Sequence, residues 1–339
     1  VVSTALVVVF GLFLFALGLA LVLLLTGLVI AWELPQKEDR YIHVGIAVYD
    51  RSDTFMESYI RELEDKIGQT RILGKKVSYE IYDAEGIGSR QEKQLQEMYA
   101  QDYDVMLVNL VEPASAAGVL TDAKDADIPV ILFNREIDEK DLKISKNVWY
   151  VGTDARAAGV MQGKLLKDLW KKQSRILDWN GNGMLDYVLV EGEESHFDAI
   201  RRTSGFLETG AELPLNQKGN ILAEWKRELA YEKFAALDDE AVQNVEAVIC
   251  NNDDMALGVY DYYKEKNLKL PVIIGINNSE EMHQKIMSGE MYGTIDNKME
   301  DQVMEICRLM QAILKKDTGS YQKVWYSTPK AIVKAEGTE

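Results

Sequence analysis

Short β-branched runs alternate with amphipathic helical stretches through most of the chain, and a protein that alternates in this way has few architectures open to it. Residues 44–49, 77–82, 105–109 and 130–133 read as strands, with helices at 55–67, 90–101 and 114–124 between them. A second series has strands at 149–152, 187–191, 221–223, 245–250 and 272–276. Its helices lie near 155–172, 199–209, 230–237, 255–265 and 280–288. The pattern predicts two parallel sheets, each flanked by helices, and a chain of 339 residues is long enough for two such units at roughly 150 residues each. In open α/β sheets, ligands sit outside the carboxyl ends of the strands, so the strand tips are where chemistry is sought.

Those tips are rich in Asp and Asn. They carry Asp50 and Asp53, Asn109, the stretch from Glu191 to Asp198, Asn251 to Asp254, Asn277 and Asn278, and Asp296 and Asn297. Any one of them is explained as a helix cap or turn former. Six tips converging on the same chemistry point instead to a polyhydroxyl ligand. Sugar hydroxyls both donate and accept, so they call for carboxylates, amides and guanidiniums, and the apolar ring faces call for aromatics such as Phe55 and Trp225. His196 stands two residues before Asp198, and Arg202 follows that Asp by one helical turn; alone this is a surface ion pair with a loop histidine, and among the other tips it is a candidate polar cluster. No nucleophile elbow, phosphate loop or dinucleotide fingerprint follows a strand, so an enzyme is not expected.

Residues 1–32 contain no charge and no proline. A helix of about 20 residues crosses the hydrocarbon core, so residues 1–33 read as a single-pass transmembrane signal-anchor, ahead of a polar linker at 34–41. A cleaved signal peptide or a buried helix would be shorter. Lys37 and Arg40 are offset by Glu33, Glu38 and Asp39, so flanking charge leaves the orientation open. The net charge of −17 argues against nucleic acid, which needs clustered cations. Cys250 and Cys307 are too few for a disulfide framework; Cys250 reads as a small buried hydrophobe, with a bridge between the two left open.

One loop has metal-ligand spacing. Asp178, Asn180, Asn182 and Asp186 occupy positions 1, 3, 5 and 9 of an EF-hand-like loop, Gly183 stands at position 6, and Met184 at position 7 offers its carbonyl. Position 12 is Leu189, so the usual bidentate carboxylate is absent. The segment is either a polar turn or a calcium loop completed from elsewhere.

Taken together, residues 109–113 (Asn-Leu-Val-Glu-Pro), 150–154 (Tyr-Val-Gly-Thr-Asp), the 178–186 loop and 251–253 (Asn-Asn-Asp) resemble the periplasmic galactose/glucose-binding proteins, from about Ile42 onward. The resemblance implies two Rossmann-like lobes joined by a three-strand hinge. It implies a pyranose between Phe55 and Trp225, with polar contacts from Asp53, Asn109, His196, Asp198, Arg202, Asn252 and Asn297. It also implies a structural calcium held by Asp178, Asn180, Asn182, Met184, Asp186 and, as the missing carboxylate, Glu246. Asn277 stands where the family carries an aspartate, and Asn182 where it usually does, so altered sugar preference and weaker calcium binding are expected. Lobe 1 is expected at 42–129 plus 297–323, and lobe 2 at 130–296 plus 324–339. The implied role is an extracytoplasmic receptor for D-glucose or D-galactose, tethered to the bacterial cytoplasmic membrane and serving an ABC importer. A sensor subunit for a membrane kinase or chemoreceptor, or a pentose receptor, is the alternative.

Overall fold

The computed structural model describes residues 41–237 and 242–334, with Gly18 alone before them. The expected membrane anchor, most of the linker and the last five residues of the chain lie outside the described residues. Among the described residues, no helix is long and apolar enough to cross a membrane.

Two α/β sheets form as the alternation predicts. The first contains β1 (Tyr41–Val48), β2 (Arg71–Ile72), β3 (Lys75–Asp83), β4 (Val105–Val108), β5 (Val130–Phe133), β6 (Val148–Thr153) and β12 (Val324–Ser327), in the order β12-β6-β5-β4-β1-β3-β2. All its pairings are parallel except the short β2–β3 hairpin. The second contains β7 (Leu185–Glu191), β8 (Leu215–Leu222), β9 (Ala247–Cys250), β10 (Val272–Ile276), β11 (Gly293–Asp296) and β13 (Lys330–Val333), in the order β13-β11-β10-β9-β7-β8. Only β13 runs antiparallel, as an edge strand beside β11.

Both faces of each sheet are covered, which is why the central strands read as unbroken apolar runs. Val44, Ile46, Val105 and Leu107 turn to one side of the first sheet, where α1 (Thr54–Gln69) and α9 (Met299–Leu314) bury Met56, Ile60, Leu63, Ile306 and Met310 against them. Ala47, Met106 and Val108 turn to the other side, toward α2 (Gly88–Tyr99) and α3 (Ala116–Asp125). In the second sheet, Val188, Val190 and Val248 face α6 (Arg227–Ala235), α7 (Asp253–Glu265) and α8 (Glu280–Ser288). Tyr187, Leu189 and Ile249 face the other way, toward α4 (Ala155–Leu177) and α5 (Phe197–Gly210). The period of two is the strand pleat itself.

The expected lobe boundaries need correction. β5 and β6 belong to the first sheet, so the chain first crosses after Thr153 and not at residue 130; β12 also pairs with β6, so residues 324–327 belong to lobe 1. The reason is register: Val130 continues the parallel ladder from Met106, and Val148 continues it from Val130. Crossings two and three follow Asp296 and Ser327. All three are tied together by buried side chains. The Thr153 hydroxyl donates to the Asn297 carbonyl at 2.9 Å and lies 2.8 Å from the Ser327 hydroxyl. Ser327 donates to the same carbonyl at 2.7 Å, and the Gln302 amide donates to Thr153 and to Asn297 O. Cys250 and Cys307 are both buried free thiols, one in the second sheet and one on α9 against the first, so they form no bridge.

Helices α4 and α5 approach until backbone touches backbone. A Cβ on Gly159 would stand 1.9 Å from the Arg202 carbonyl oxygen, so only glycine fits. Gly159→Ala is expected to push the helices apart and cost about 1–3 kcal/mol of stability, read as a lower urea midpoint with an unchanged m-value.

Candidate functional site

A narrow hollow lies between the carboxyl ends of the two sheets. Tyr49, Asp53 and Phe55 reach it from the loop after β1, and Asn134 and Arg135 from the loop after β5. The second sheet contributes His196, Asp198 and Arg202 after β7, Trp225 after β8, Asn252 after β9 and Asn277 after β10. Eight of the ten residues expected at the site therefore line one cavity, brought from distant parts of the chain by the parallel topology.

Asn109 and Asn297 do not line the hollow; both are buried and hydrogen-bonded to the chain. Asn109 donates to the Phe133 carbonyl at 3.0 Å and to Asn134 Oδ1 at 3.3 Å, and accepts from the Tyr49 amide at 3.2 Å. It joins three strand ends beneath the cavity. Asn297 donates to Asn277 Oδ1 at 2.8 Å. Tyr49, Asn134 and Arg135 were missed. Arg135 lies over the Tyr49 ring at 3.7 Å and donates to Val111 O and to Glu193 Oε1, which also accepts from the Trp225 indole. The signal available was a third strand tip, Asn134-Arg135-Glu136 after β5, with the same polar character as the others.

Several of these side chains are also helix caps. Asp53 accepts from the Met56 amide at 2.7 Å, and Asn252 from the Met255 amide at 2.9 Å while donating to Trp225 O. Capping and a place in the cavity lining are compatible there, because the cap hydrogen bond holds the side chain in place at the cavity wall. His196 caps α5 through Nδ1, which accepts the Asp198 amide at 3.1 Å. Burial first, then the cations of Arg135 and Arg202, push its pKa down to about 2. The neutral ring therefore holds its proton on Nε2, as a fixed donor.

Asp198 and Arg202 are both buried, 5% and 7% exposed, and Asp198 Oδ1 and Arg202 Nε have no partner. The Arg202 guanidinium donates to Asn251 O at 2.6 Å and sits 5.5 Å from the Trp225 ring. Burial raises the Asp198 carboxyl to about 6, with Arg202 opposing it, and burial lowers Arg202. Both residues line the hollow, so a hydroxyl that enters it meets a carboxylate and a guanidinium. Trp225, at φ +67°, fits only because residue 192 is glycine: a Cβ there would lie 2.3 Å from the indole. Phe55 packs edge-on against Tyr59.

The loop at 178–186 lies at the opposite end of the second sheet. Glu246 is fully buried, its carboxylate accepting the Asp186 amide at 2.9 Å and the Asn180 amide at 3.3 Å. Burial raises its pKa. Asp186, 2% exposed, accepts from the side-chain amides of Asn180 at 3.0 Å and Asn182 at 3.3 Å; Asp178 Oδ2 accepts the Gly183 amide at 2.9 Å, and its Oδ1 is buried without a partner. Among the described residues, no three His, Cys, Asp or Glu side chains are grouped closely enough to hold a metal by themselves.

The profile described as Periplasmic binding protein domain matches residues 44–318. The chain is 30% identical over 290 residues to the D-galactose/methyl-galactoside binding periplasmic protein of Haemophilus influenzae, covering 83% of this chain and 84% of that one. It is 27% identical over 248 residues to the galactofuranose-binding protein of Escherichia coli, covering 71% and 74%. Among solved structures, a periplasmic solute binding protein of Actinobacillus succinogenes with bound D-allose matches with a TM-score of 0.75 at 19% identity, over 86% of this chain and 97% of that one. The myo-inositol binding protein of Caulobacter matches with 0.74 at 23%, over 88% and 95%.

The site's protonation is testable without a ligand. The folded pKa of Asp198 lies above its unfolded value, so its contribution to stability is complete below about 4 and is lost as pH rises through about 6. Asp198→Asn is therefore expected to flatten the difference in stability between pH 4 and pH 7, measured by urea unfolding. His196 is expected to show no imidazole titration between pH 5 and 8 by NMR.

Proposed function

The chain belongs to the periplasmic binding protein domain family, as a non-enzymatic sugar-binding receptor, and from that premise we propose that it binds one hexopyranose, D-glucose or D-galactose, by closing its two lobes. The observation that carries the reading is the composition of the cleft: aromatic faces at Phe55 and Trp225 flank dry polar atoms on Asp198 and Arg202, in a hollow shared by both lobes. Galactose is in the printed name of the Haemophilus influenzae relative, and this supports the hexose assignment.

Closure uses contacts that exist only when the lobes meet. Arg135 of lobe 1 pairs with Glu193 of lobe 2 at 2.9 Å, Glu136 of lobe 1 with Arg201 of lobe 2, and Thr54 of lobe 1 with Asp254 of lobe 2. A sugar touching both lobes adds to these and shifts the population toward the closed form. The receptor delivers its sugar to an ABC importer from a tether at residues 1–33, and the absence of charge from 1–32 supports anchoring. Calorimetric titration with glucose, galactose, xylose and ribose is expected to show one site, with a hexose bound most tightly. Trp225→Ala is expected to weaken it by about 2 kcal/mol or more, as hot-spot aromatics do. Binding by none of the four overturns the reading.

We further propose that the 178–186 loop takes a structural calcium. The acidic side chains do not suffice alone, so the ion would draw on the Asn180 and Asn182 amide oxygens and the Met184 carbonyl besides Asp178, Asp186 and Glu246. The unpartnered Asp178 Oδ1 and the buried Glu246 support the assignment. A chelator is expected to lower the melting temperature and added calcium to restore it, with Glu246→Gln abolishing both effects. A melting temperature indifferent to chelation removes the ion from the proposal.

A further inference from the structure

Two neutral amides are in contact beside the second crossing, one lining the cleft and one buried behind it. Asn297, 2% exposed, donates its Nδ2 to Asn277 Oδ1 at 2.8 Å, and its own Oδ1 is buried without a partner. Asn277 lines the cavity, with its backbone at φ +129° and its amide N–H donated to Ile295 O at 2.8 Å. A non-glycine residue in that region is held there by its surroundings. Asn278 follows at φ +60°, so the turn that presents Asn277 is built from two such residues.

The oxygen and nitrogen ends of an Asn side chain have nearly the same shape and opposite hydrogen-bonding sense. In the arrangement present, Asn277 accepts from Asn297 and its NH₂ is left for the cavity. Rotating both amides by half a turn makes Asn277 Nδ2 donate to Asn297 Oδ1 and turns Asn277 Oδ1 to the cavity. Each arrangement has one Asn–Asn hydrogen bond and leaves one end of Asn297 unpartnered, the carbonyl oxygen in the first and the NH₂ in the second.

We propose that Asn277 and Asn297 form a reversible amide pair that sets ligand specificity, offering the cleft either a donor or an acceptor according to the group it meets. This rests on the reading of the cleft as a sugar site and names what that site tolerates: sugars whose group facing Asn277 is a donor, an acceptor or both. A carboxylate at either position removes the choice. With Asp at 277, Asn297 must donate and the remaining carboxylate oxygen faces the ligand as an acceptor. With Asp at 297, Asn277 must donate to it, and Asn277 Oδ1 faces the ligand as an acceptor.

The test compares wild type, Asn277→Asp and Asn297→Asp by calorimetry, using the hexose that binds and its monodeoxyfluoro analogues, in which C–F accepts weakly and cannot donate. Wild type is expected to tolerate fluorine at one ring position that both variants reject by a further tenfold or more, the cost of setting acceptor against acceptor. The parent hexose, whose hydroxyl can donate, is expected to change by less. The two substitutions lie on different loops, so agreement on the same ring position separates the amide pair from a local folding defect, which a melting curve also detects. Analogue-to-parent ratios unchanged from wild type in the folded variants overturn the amide pair and leave the sugar site standing. If wild type binds no hexose, the sugar reading fails and this inference with it.

Discussion

A parallel strand delivers its carboxyl end to one edge of the sheet only, and the three crossings hold that edge of each sheet against the other. The site depends on this constraint. Thr153, Ser327 and Gln302 converge on the Asn297 carbonyl, so the three crossing segments share one buried hydrogen-bond cluster. Such a cluster fixes where the lobes pivot, because separating its members would leave polar groups unpaired away from water. The loops after β1, β5, β7, β8, β9 and β10 then have no destination except a common cleft.

Within the cleft, burial does two things that oppose each other in cost and agree in use. It penalises the charged forms of Asp198 and Arg202 and keeps His196 neutral. It also encloses Asp198 Oδ1 and Arg202 Nε, which have no hydrogen-bond partner in the chain. Orientation comes from the backbone: His196 is held by the Asp198 amide, Arg202 by the Asn251 carbonyl, and Asn252 by the Met255 amide. The donors and acceptors are in place before a ligand arrives, which lowers the ordering cost of binding. Glu136 shows the same economy across the lobes. It is buried at 2% exposure between Tyr326 and the half-exposed Arg201, and burial raises its pKa.

Much of this was legible in the sequence, because the strand pleat and the strand tips are local patterns. The helices on both faces announced themselves through apolar runs such as Val-Met-Leu-Val at β4, and the tips through Asp and Asn. The illegible parts are those decided by pairing. Nothing local to Val130 says that β5 extends the ladder from β4 and so belongs to the first lobe. β12 and β13 are four-residue edge strands whose membership depends on partners over 150 residues earlier for β12 and about 35 for β13. Asn109 and Asn297 have the residue type and the tip position of ligand contacts, and only the fold shows that their amides face Phe133 and Asn277. Nothing in the sequence sets Arg135 apart from its polar neighbours Asn134 and Glu136. Its role depends on Tyr49, 86 positions away in the chain.

The 178–186 loop and the cleft look separate, at opposite ends of the second sheet, but one strand connects them. Glu246 immediately precedes β9, and Asn251 and Asn252 immediately follow it. A four-residue strand spans only about 13 Å, and β9 is clamped between β7 and β10, with Ala247 paired to both Tyr187 and Val272. The amides of Asn180 and Asp186 grip the Glu246 carboxylate at one end; at the other, the Asn251 carbonyl grips Arg202 and Asn252 carries the Trp225 carbonyl. A one-residue slip would turn every side chain of β9 to the wrong face, so the anchored carboxylate fixes the register as well as the position. One short, doubly paired strand therefore joins the carboxylate gripped by the loop to the residues that hold Arg202 and the Trp225 carbonyl.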